Sequence, residues 1–357
     1  MANNSIPASS AGRIASYSIT SPSAPEIEIA QAEHRITLIN RWGIGPGQRV
    51  LEIGCGQGNA TAVLAEAVGE TGCVDAVDPA PPDYGAPFTL AQAQAHISAS
   101  AVGGRITWHN ADPLAFLRSG NPAGATWDVA VLAHSIWYFA SREVVAEILR
   151  ALRGRAARLC VAEYALRAPE TPAATPHVLA AVARGMLECQ NAESTANIRS
   201  PLSPDAIAEI AARAGWTLER QATVVPGPGL LDGHWEVGSV VAQSFVREVE
   251  DAVRDEGMRL VLASVRYAVV AAVEALQGEK VRTMDNRPHC LELDPREPLR
   301  PSKAPYVFNP ARYPLQAKER SNYGTPASLS LPPILGQETR SLHKGLSGTG
   351  MHIRGDL

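Results

Sequence analysis

Along positions 24–162 short apolar runs alternate with helical patterns. Ile27, Ile29, Ile36, Leu38 and Ile39 recur among charges over 24–41, and Trp42-Gly43 follows, which predicts a helix with a glycine stop. Pro46-Gly47 turns the chain into a short buried strand, Arg49–Ile53, and a helical pattern occupies Asn59–Val68. Further strands are predicted at 72–78, 105–109, 128–133 and 157–162, with helices over 89–102, 112–117 and 141–152 and a loop at 79–87. The stretch 128–133 is apolar throughout after Asp128, as expected of a strand covered on both faces. Strands alternating with helices in this way predict an α/β fold with a doubly wound, mostly parallel sheet. Such sheets bind ligands beyond the carboxyl ends of their strands, where the winding reverses.

The second half is less regular. A helix is predicted over 177–189, and another opens at Ser203-Pro204 and stops at Gly215. A sixth strand is expected at 216–225, and two amphipathic helices within 237–277, broken near Gly257. Together these make a helical insertion and C-terminal part, 166–285, placed as a lid over the substrate side. From Asn286 prolines recur without periodicity (Pro288, Pro295, Pro298, Pro301 and on to Pro333), which predicts a disordered tail over 286–357. Residues 1–25 are rich in Ser and Ala with Arg13 as the only charge, and predict a flexible N-terminal arm. The folded body is then 26–285, with its ligand-binding half ending near 165.

Composition narrows the class. Hydrophobic content of 45% and charged content of 19% are those of a soluble globular enzyme. A net charge of −4 supplies no electrostatic basis for binding nucleic acid or an anionic membrane. No apolar run approaches the roughly 20 residues that span a bilayer. Cys55, Cys73, Cys160, Cys189 and Cys290 are scattered with no C-x-x-C pair, which predicts reduced thiols in a cytoplasmic protein and no metal site. The sequence carries no signal for oligomeric state.

The chemistry concentrates where the first strand meets the helix that follows it, at Glu52-Ile53-Gly54-Cys55-Gly56-Gln57-Gly58. Alternate glycines clear side chains from the backbone, and a helix start adds N–H groups, so a ligand can come close. The dinucleotide fingerprint G-x-G-x-x-G/A wants a small residue where Asn59 stands, which weakens an NAD(P)-dependent oxidoreductase as the reading. It remains the first alternative, and a catalytically silent cofactor-binding protein is the second.

The spacing Glu52-x-Gly54-x-Gly56-x-Gly58 resembles the first motif of class I S-adenosylmethionine-dependent methyltransferases. The resemblance continues through Asp78 at the end of the second strand, the Ala111-Asp112 turn and the 127–139 strand and loop, as far as Glu163. It implies a Rossmann-like fold, S-adenosyl-L-methionine as cofactor, and methylation of oxygen or nitrogen on a small molecule, as in specialised metabolism. By this resemblance Glu52, Gly54, Cys55, Gly56 and Gly58 lie against the methionine and ribose portion. Asp78 accepts from the ribose hydroxyls, Ala111 and Asp112 serve the adenine, and Ala133 and His134 line the far side. His134 is the expected catalytic base, with Glu163, His177 and His234 as further candidates. Trp137, Tyr138 and Tyr17 are candidate faces for a sulfonium cation. Ala133-His134-Ser135-Ile136 stands where nucleic-acid and protein-amide methylating groups carry Asn-Pro-Pro-Tyr, which favours a small-molecule acceptor. The family sheet usually has a seventh, antiparallel strand beside the fifth. Here a strand begun at 280–285 is expected to be cut off by Asn286-Arg287-Pro288 and replaced by the tail.

Overall fold

Val50 and Leu51 are adjacent in sequence and both fully buried, so the strand that carries them lies in a sheet covered on both faces. A computed structural model describes residues 5–20, 24–119, 126–191 and 198–293. Its strands are β1 (Arg49–Ile53), β2 (Cys73–Asp78), β3 (Ile106–Asn110), β4 (Trp127–Ala133), β5 (Ala156–Ala162), β6 (Trp216–Gln221) and β7 (His289–Leu293). They form one sheet in the order β3-β2-β1-β4-β5-β7-β6. The pairs among the first five are parallel, and β7 runs antiparallel to both β5 and β6. The winding reverses between β1 and β4. The loop after β1 and the residues after β4 therefore open onto one crevice.

Helices cover the two faces. They are α1 (Ala11–Ala15), α2 (Pro25–Trp42), α3 (Asn59–Val68), α4 (Leu90–Ser98), α5 (Pro113–Ser119), α6 (Arg142–Ala151), α7 (Thr175–Glu188), α8 (Pro204–Arg213), α9 (Asp232–Val241), α10 (Gln243–Ala252) and α11 (Glu256–Glu274). Successive strand residues point to opposite faces. Val50, Val74, Val129 and Cys160 meet Ile36, Ile39 and Val63 on one side; Leu51, Ala130, Leu132 and Leu159 meet Ile148, Leu149 and Ile207 on the other. A third cluster, built on Ala180, Leu187, Phe245, Leu262 and Val269, joins α7, α10 and α11 with α9. Local chemistry sets the boundaries. The Thr89 and Gln92 side chains form a reciprocal capping box on α4, and the Ser203 hydroxyl accepts from Ala206 N–H at the start of α8.

Three expectations change. Residues 5–20 are not a loose arm: Ile6, Ala11, Ile14, Ala15 and Tyr17 are buried in the main core. The short apolar set looks like low complexity in sequence, yet Arg13 clamps it by donating to both Glu66 oxygens on α3, at 3.0 and 2.7 Å. The expected pair of helices in 237–277 is three, because the chain breaks at Ala242 and again before Asp255, whose carboxylate accepts from Met258 N–H at 2.7 Å. The seventh strand is present. The backbone of 280–285 is not a strand; Asn286 makes isolated bridges to Tyr164 and Val224, and the continuous ladder starts after Pro288, where a proline before the first ladder residue removes no ladder hydrogen bond. The expected tail thus begins no earlier than 294, and the rest of it lies outside the described residues.

Within β1, Glu52 is 1% exposed, and its carboxyl accepts from the Thr61 hydroxyl of α3 at 2.5 Å. Burial pushes this carboxyl up to about 7; the Thr61 hydrogen bond opposes the shift and the charge of Asp78 adds to it. An acid raised in the folded state stabilises below its unfolded pKa, and that stability is lost as pH rises through the folded value.

The wild-type chain should therefore lose stability between the ordinary glutamate pKa and pH 7, on the order of 3 kcal/mol from this group. Glu52→Gln, which keeps an acceptor for Thr61, should flatten that part of the curve in chemical denaturation at several pH values; parallel curves would refute the assignment. For the N-terminal segment, Ile14→Ala should destabilise by about 2–5 kcal/mol. A loose arm would give a change inside about 0.5 kcal/mol.

Candidate active site

The crevice is closed at its base by a contact only glycine permits. A Cβ on Gly54 would lie 2.4 Å from the Ser135 Cβ, and Gly54 has φ +78. The Ser135 hydroxyl fastens the contact by donating to the Ile53 carbonyl at 2.8 Å. Gly56, two residues on, has φ +53, and a Cβ there would meet nothing within 4 Å. One glycine is thus needed for packing, and the other leaves open space above the backbone. Gly58 belongs with the first kind: its Cβ would strike Ile97 and Trp108, each at 2.7 Å.

The N–H groups of the glycine loop are mostly engaged within the protein. Gly54 N–H and Cys55 N–H donate to the Val77 carbonyl, and Gly58 N–H donates to that of Cys55. Gly56 N–H donates to one oxygen of Asp78 at 2.8 Å, and Ala80 N–H to the other at 2.9 Å. The half-buried Asp78 carboxylate is therefore fixed in orientation, with further lone pairs to offer. Ala111 N–H donates to the Asp78 carbonyl at 3.1 Å, which brings the β2 and β3 ends together. Asp112 is exposed, and one of its oxygens caps α5 by accepting from Ala115 N–H at 2.8 Å. Cys55 is buried, and burial pushes its thiol well up, so it is inert filler in the loop. Glu52 faces α3 rather than the crevice.

Past β4 the chain enters a dense polar cluster. His134 adopts φ 55, an uncommon conformation for a side-chain-bearing residue, and its N–H donates to the Ala162 carbonyl at 2.9 Å. Its ring lies 4.6 Å from that of Tyr164 and 5.4 Å from that of His34. The two histidine Nε2 atoms are 3.2 Å apart, and His34 Nε2 is also 3.2 Å from Asn286 Oδ1. The Asn286 amide is oriented by its Nδ2–H donating to the Met284 carbonyl at 3.3 Å, so its oxygen faces His34. His34 Nε2 must then carry the proton, and His134 Nε2 is left as the acceptor with its lone pair. This tautomer puts the ring proton of His134 on Nδ1, which makes no hydrogen bond and lies 3.5 Å from Glu163 Oε1. Glu163 is itself held by three backbone N–H groups, those of Ile136, Trp137 and Tyr164.

The remaining walls come from distant parts of the chain. The Tyr164 hydroxyl donates to Asp232 on α9 at 2.5 Å, and Gln31 Nε2 donates to the other Asp232 oxygen at 2.8 Å. Burial works to raise the Asp232 carboxyl, but Arg35 together with those hydrogen bonds outweighs it and holds the group below the usual range. Burial, reinforced by His134, keeps His34 well below the usual imidazole value and therefore neutral. Burial likewise draws His177 down to about 4; its Nδ1 accepts from Met284 N–H at 3.1 Å, and its Nε2 is buried without a partner.

Of the sequence candidates, His134, Glu163 and His177 come together here. His234 is exposed on α9 outside this network. Tyr17 sits with Arg13 and Glu66 in the N-terminal packing, and Trp137 is core, donating to the Leu202 carbonyl at 3.0 Å. Tyr138 is 47% exposed. Sequence reading missed His34, Tyr164, Asp232 and Asn286. The signal for His34 was a histidine at a core-facing position of α2, three residues from Gln31 on the same helical face.

Comparison with known proteins agrees with this architecture. Residues 50–155 match the family described as a methyltransferase domain. The chain is 35% identical over 245 residues to the methyltransferase phomM' of Diaporthe leptostromiformis, covering 58% of this chain and 62% of that one. The methyltransferase phomM of the same organism is 34% identical over the same length. The chain thus spans less than two thirds of the length of these relatives. The crystal structure of a cyclopropane-fatty-acyl-phospholipid synthase-like protein from Lactobacillus casei is 30% identical with a TM-score of 0.68, covering 80% of this chain and 99% of that one. Among the described residues no helix is long and apolar enough to cross a membrane. The antiparallel β7 set between β5 and β6 also departs from the dinucleotide-binding strand order 3-2-1-4-5-6. The chain belongs to the class I S-adenosylmethionine-dependent methyltransferase family.

Proposed function

We propose that this protein transfers a methyl group from S-adenosyl-L-methionine to an oxygen or nitrogen of a small-molecule acceptor, with His134 as general base. One juxtaposition carries the reading. Ser135 packs on Gly54, so its neighbour His134 and the open side of the glycine loop share one crevice. The residues present fit the cofactor: the space over Gly56 admits close approach, and the oriented Asp78 carboxylate offers acceptors for ribose hydroxyls. Ala111 and Asp112 adjoin it for the adenine, and Ala133 completes the wall beside His134.

When bound, S-adenosylmethionine supplies an already activated methyl on a sulfonium. The protein's part is to orient the acceptor, take its proton and keep water out. His134 Nε2 receives the proton, and the His34 Nε2–H that it had accepted is then held by Asn286 Oδ1 alone. Glu163, fixed by three N–H groups, stabilises the imidazolium that results. His34 remains neutral and sets the His134 tautomer. Tyr164 and Asp232 hold the His134 ring face, and the α7–α11 cluster covers the acceptor side.

Titration calorimetry should show binding of S-adenosylmethionine and none of NADH. Asp78→Ala should weaken that binding by about 1.5–3 kcal/mol, the range for hydrogen bonds to charged groups. Unchanged affinity in a folded variant would remove Asp78 from the ribose site. With a labelled methyl donor and a metabolite extract, the wild-type chain should yield labelled small molecules, and His134→Gln should slow their formation by about 10²–10⁴-fold at unchanged cofactor affinity. Cofactor binding without any labelled product would mark the chain as a silent binder.

A further inference from the structure

The antiparallel register of β5 and β7 sets Cys160 directly opposite Cys290. Opposed residues in such a pair share one face, with Cα atoms about 4.5–5.5 Å apart. That separation lies inside the roughly 4.4–6.8 Å that a disulfide bridges. Both side chains enter the same apolar layer, both cysteines are free, and their thiols are hydrogen-bonded to each other. The match in register depends on β7 starting after Pro288; a strand over 280–285 would not have produced it.

The two thiols differ in surroundings. Cys160 is fully buried, and burial pushes its thiol well up. Cys290 forms part of the wall of a cavity of about 420 Å³ beside Arg41, Gln221 and His289, between the end of α2 and the β6–β7 edge. Arg220 Nη2 donates to the Cys290 sulfur at 3.8 Å. The hydrogen bond from Cys160 draws the Cys290 thiol down to about 6, with Arg158 and Arg220 adding and burial opposing. Arg158, two residues before Cys160, has its Nη2 buried without a hydrogen-bond partner, and its charge is shared with Glu219. Cys290, itself 3% exposed, borders the cavity and has its thiol drawn down, and Cys160 stands opposite it as the second thiol.

We propose that Cys290 is an oxidation site for small hydroperoxides, with Cys160 as its resolving thiol. The Cys290 thiolate attacks the terminal oxygen of the hydroperoxide, an S–O bond forms and the O–O bond breaks. The leaving alkoxide or hydroxide takes a proton from solvent. The Cys160 sulfur then attacks the sulfenic sulfur; an S–S bond forms, the S–O bond breaks, and water leaves with the Cys160 proton. Two thiols have lost two electrons and the hydroperoxide has gained them. The product staples β7 to β5 within the sheet, and a dithiol reductant reverses it by exchange. This inference rests on the sheet register and is independent of the methyl-transfer reading.

The test uses the full chain, with its five cysteines, titrated for thiols under denaturing conditions before and after stoichiometric hydrogen peroxide. The expected result is loss of two thiols, a Cys160–Cys290 linked peptide by mass spectrometry, and full recovery with dithiothreitol. Cys160→Ser should stop the reaction at a Cys290 sulfenic acid that dimedone traps. Arg220→Gln should slow the oxidation several-fold. Oxidation confined to the exposed Cys189 or to Cys73, with Cys160 and Cys290 still open to alkylation after unfolding, would overturn the proposal. So would unchanged thiol loss in Cys290→Ser. The wild-type peptide map decides the matter even if a variant fails to fold.

Discussion

Gly54 and Ser135 can touch only because one of them has no Cβ. Everything at the carboxyl end of the sheet depends on that approach. It draws the turn after β1 and the turn after β4 together at the point where the winding reverses, and so sets the depth of the crevice. With a larger residue at 54 the Ser135 hydroxyl would be pushed off the Ile53 carbonyl. His134, the next residue back, would lose its place over Tyr164. The contact involves little surface, yet it turns two separate strand ends into one binding region.

A second constraint is the burial of so many polar groups behind that crevice. His34, His177, Glu163 and Asn286 are all buried, and apolar packing alone would stabilise the sheet better. The cluster is tolerated because nearly every member has a partner: Glu163 accepts three N–H groups, Asp232 accepts two side-chain donors, and Asn286 both accepts and donates. Low dielectric makes each of these bonds directional as well as strong. The exceptions, His134 Nδ1 and His177 Nε2, belong to the same cluster, on either side of Tyr164.

What could be read from sequence follows the range of the interactions involved. The strands β1 to β5 and the helices between them announce themselves by apolar period and by turns at Gly and Pro, all local signals. The glycine spacing is local too, and it pointed to the family and its cofactor. The sequence could not separate the roles of its glycines, since packing at Gly54 and Gly58 is set by residues in the turn after β4, on α4 and on β3. The N-terminal helix was hidden because a five-residue element has almost no period to detect, and its order comes from Glu66 on another helix. β7 was hidden by the proline before it. The polar cluster was hidden most deeply: His34 lies on α2, Asp232 on α9 and Asn286 ahead of β7, and no window of sequence contains them together.

That last placement has a consequence for how the molecule assembles. β7 pairs with β5 across more than a hundred intervening residues and lies between β5 and β6, so it can join the sheet only after the helices between have found room elsewhere. Contacts of such separation are slow to form, because the loop must close before any pairing rewards it. Asn286 arrives with that strand, and Asn286 is what orients His34 toward His134. During synthesis the glycine crevice is complete long before the ribosome reaches residue 286. The glycine loop and Ser135 thus precede by far the residue that completes the buried polar cluster, since Asn286 follows its partner His34 by 252 positions.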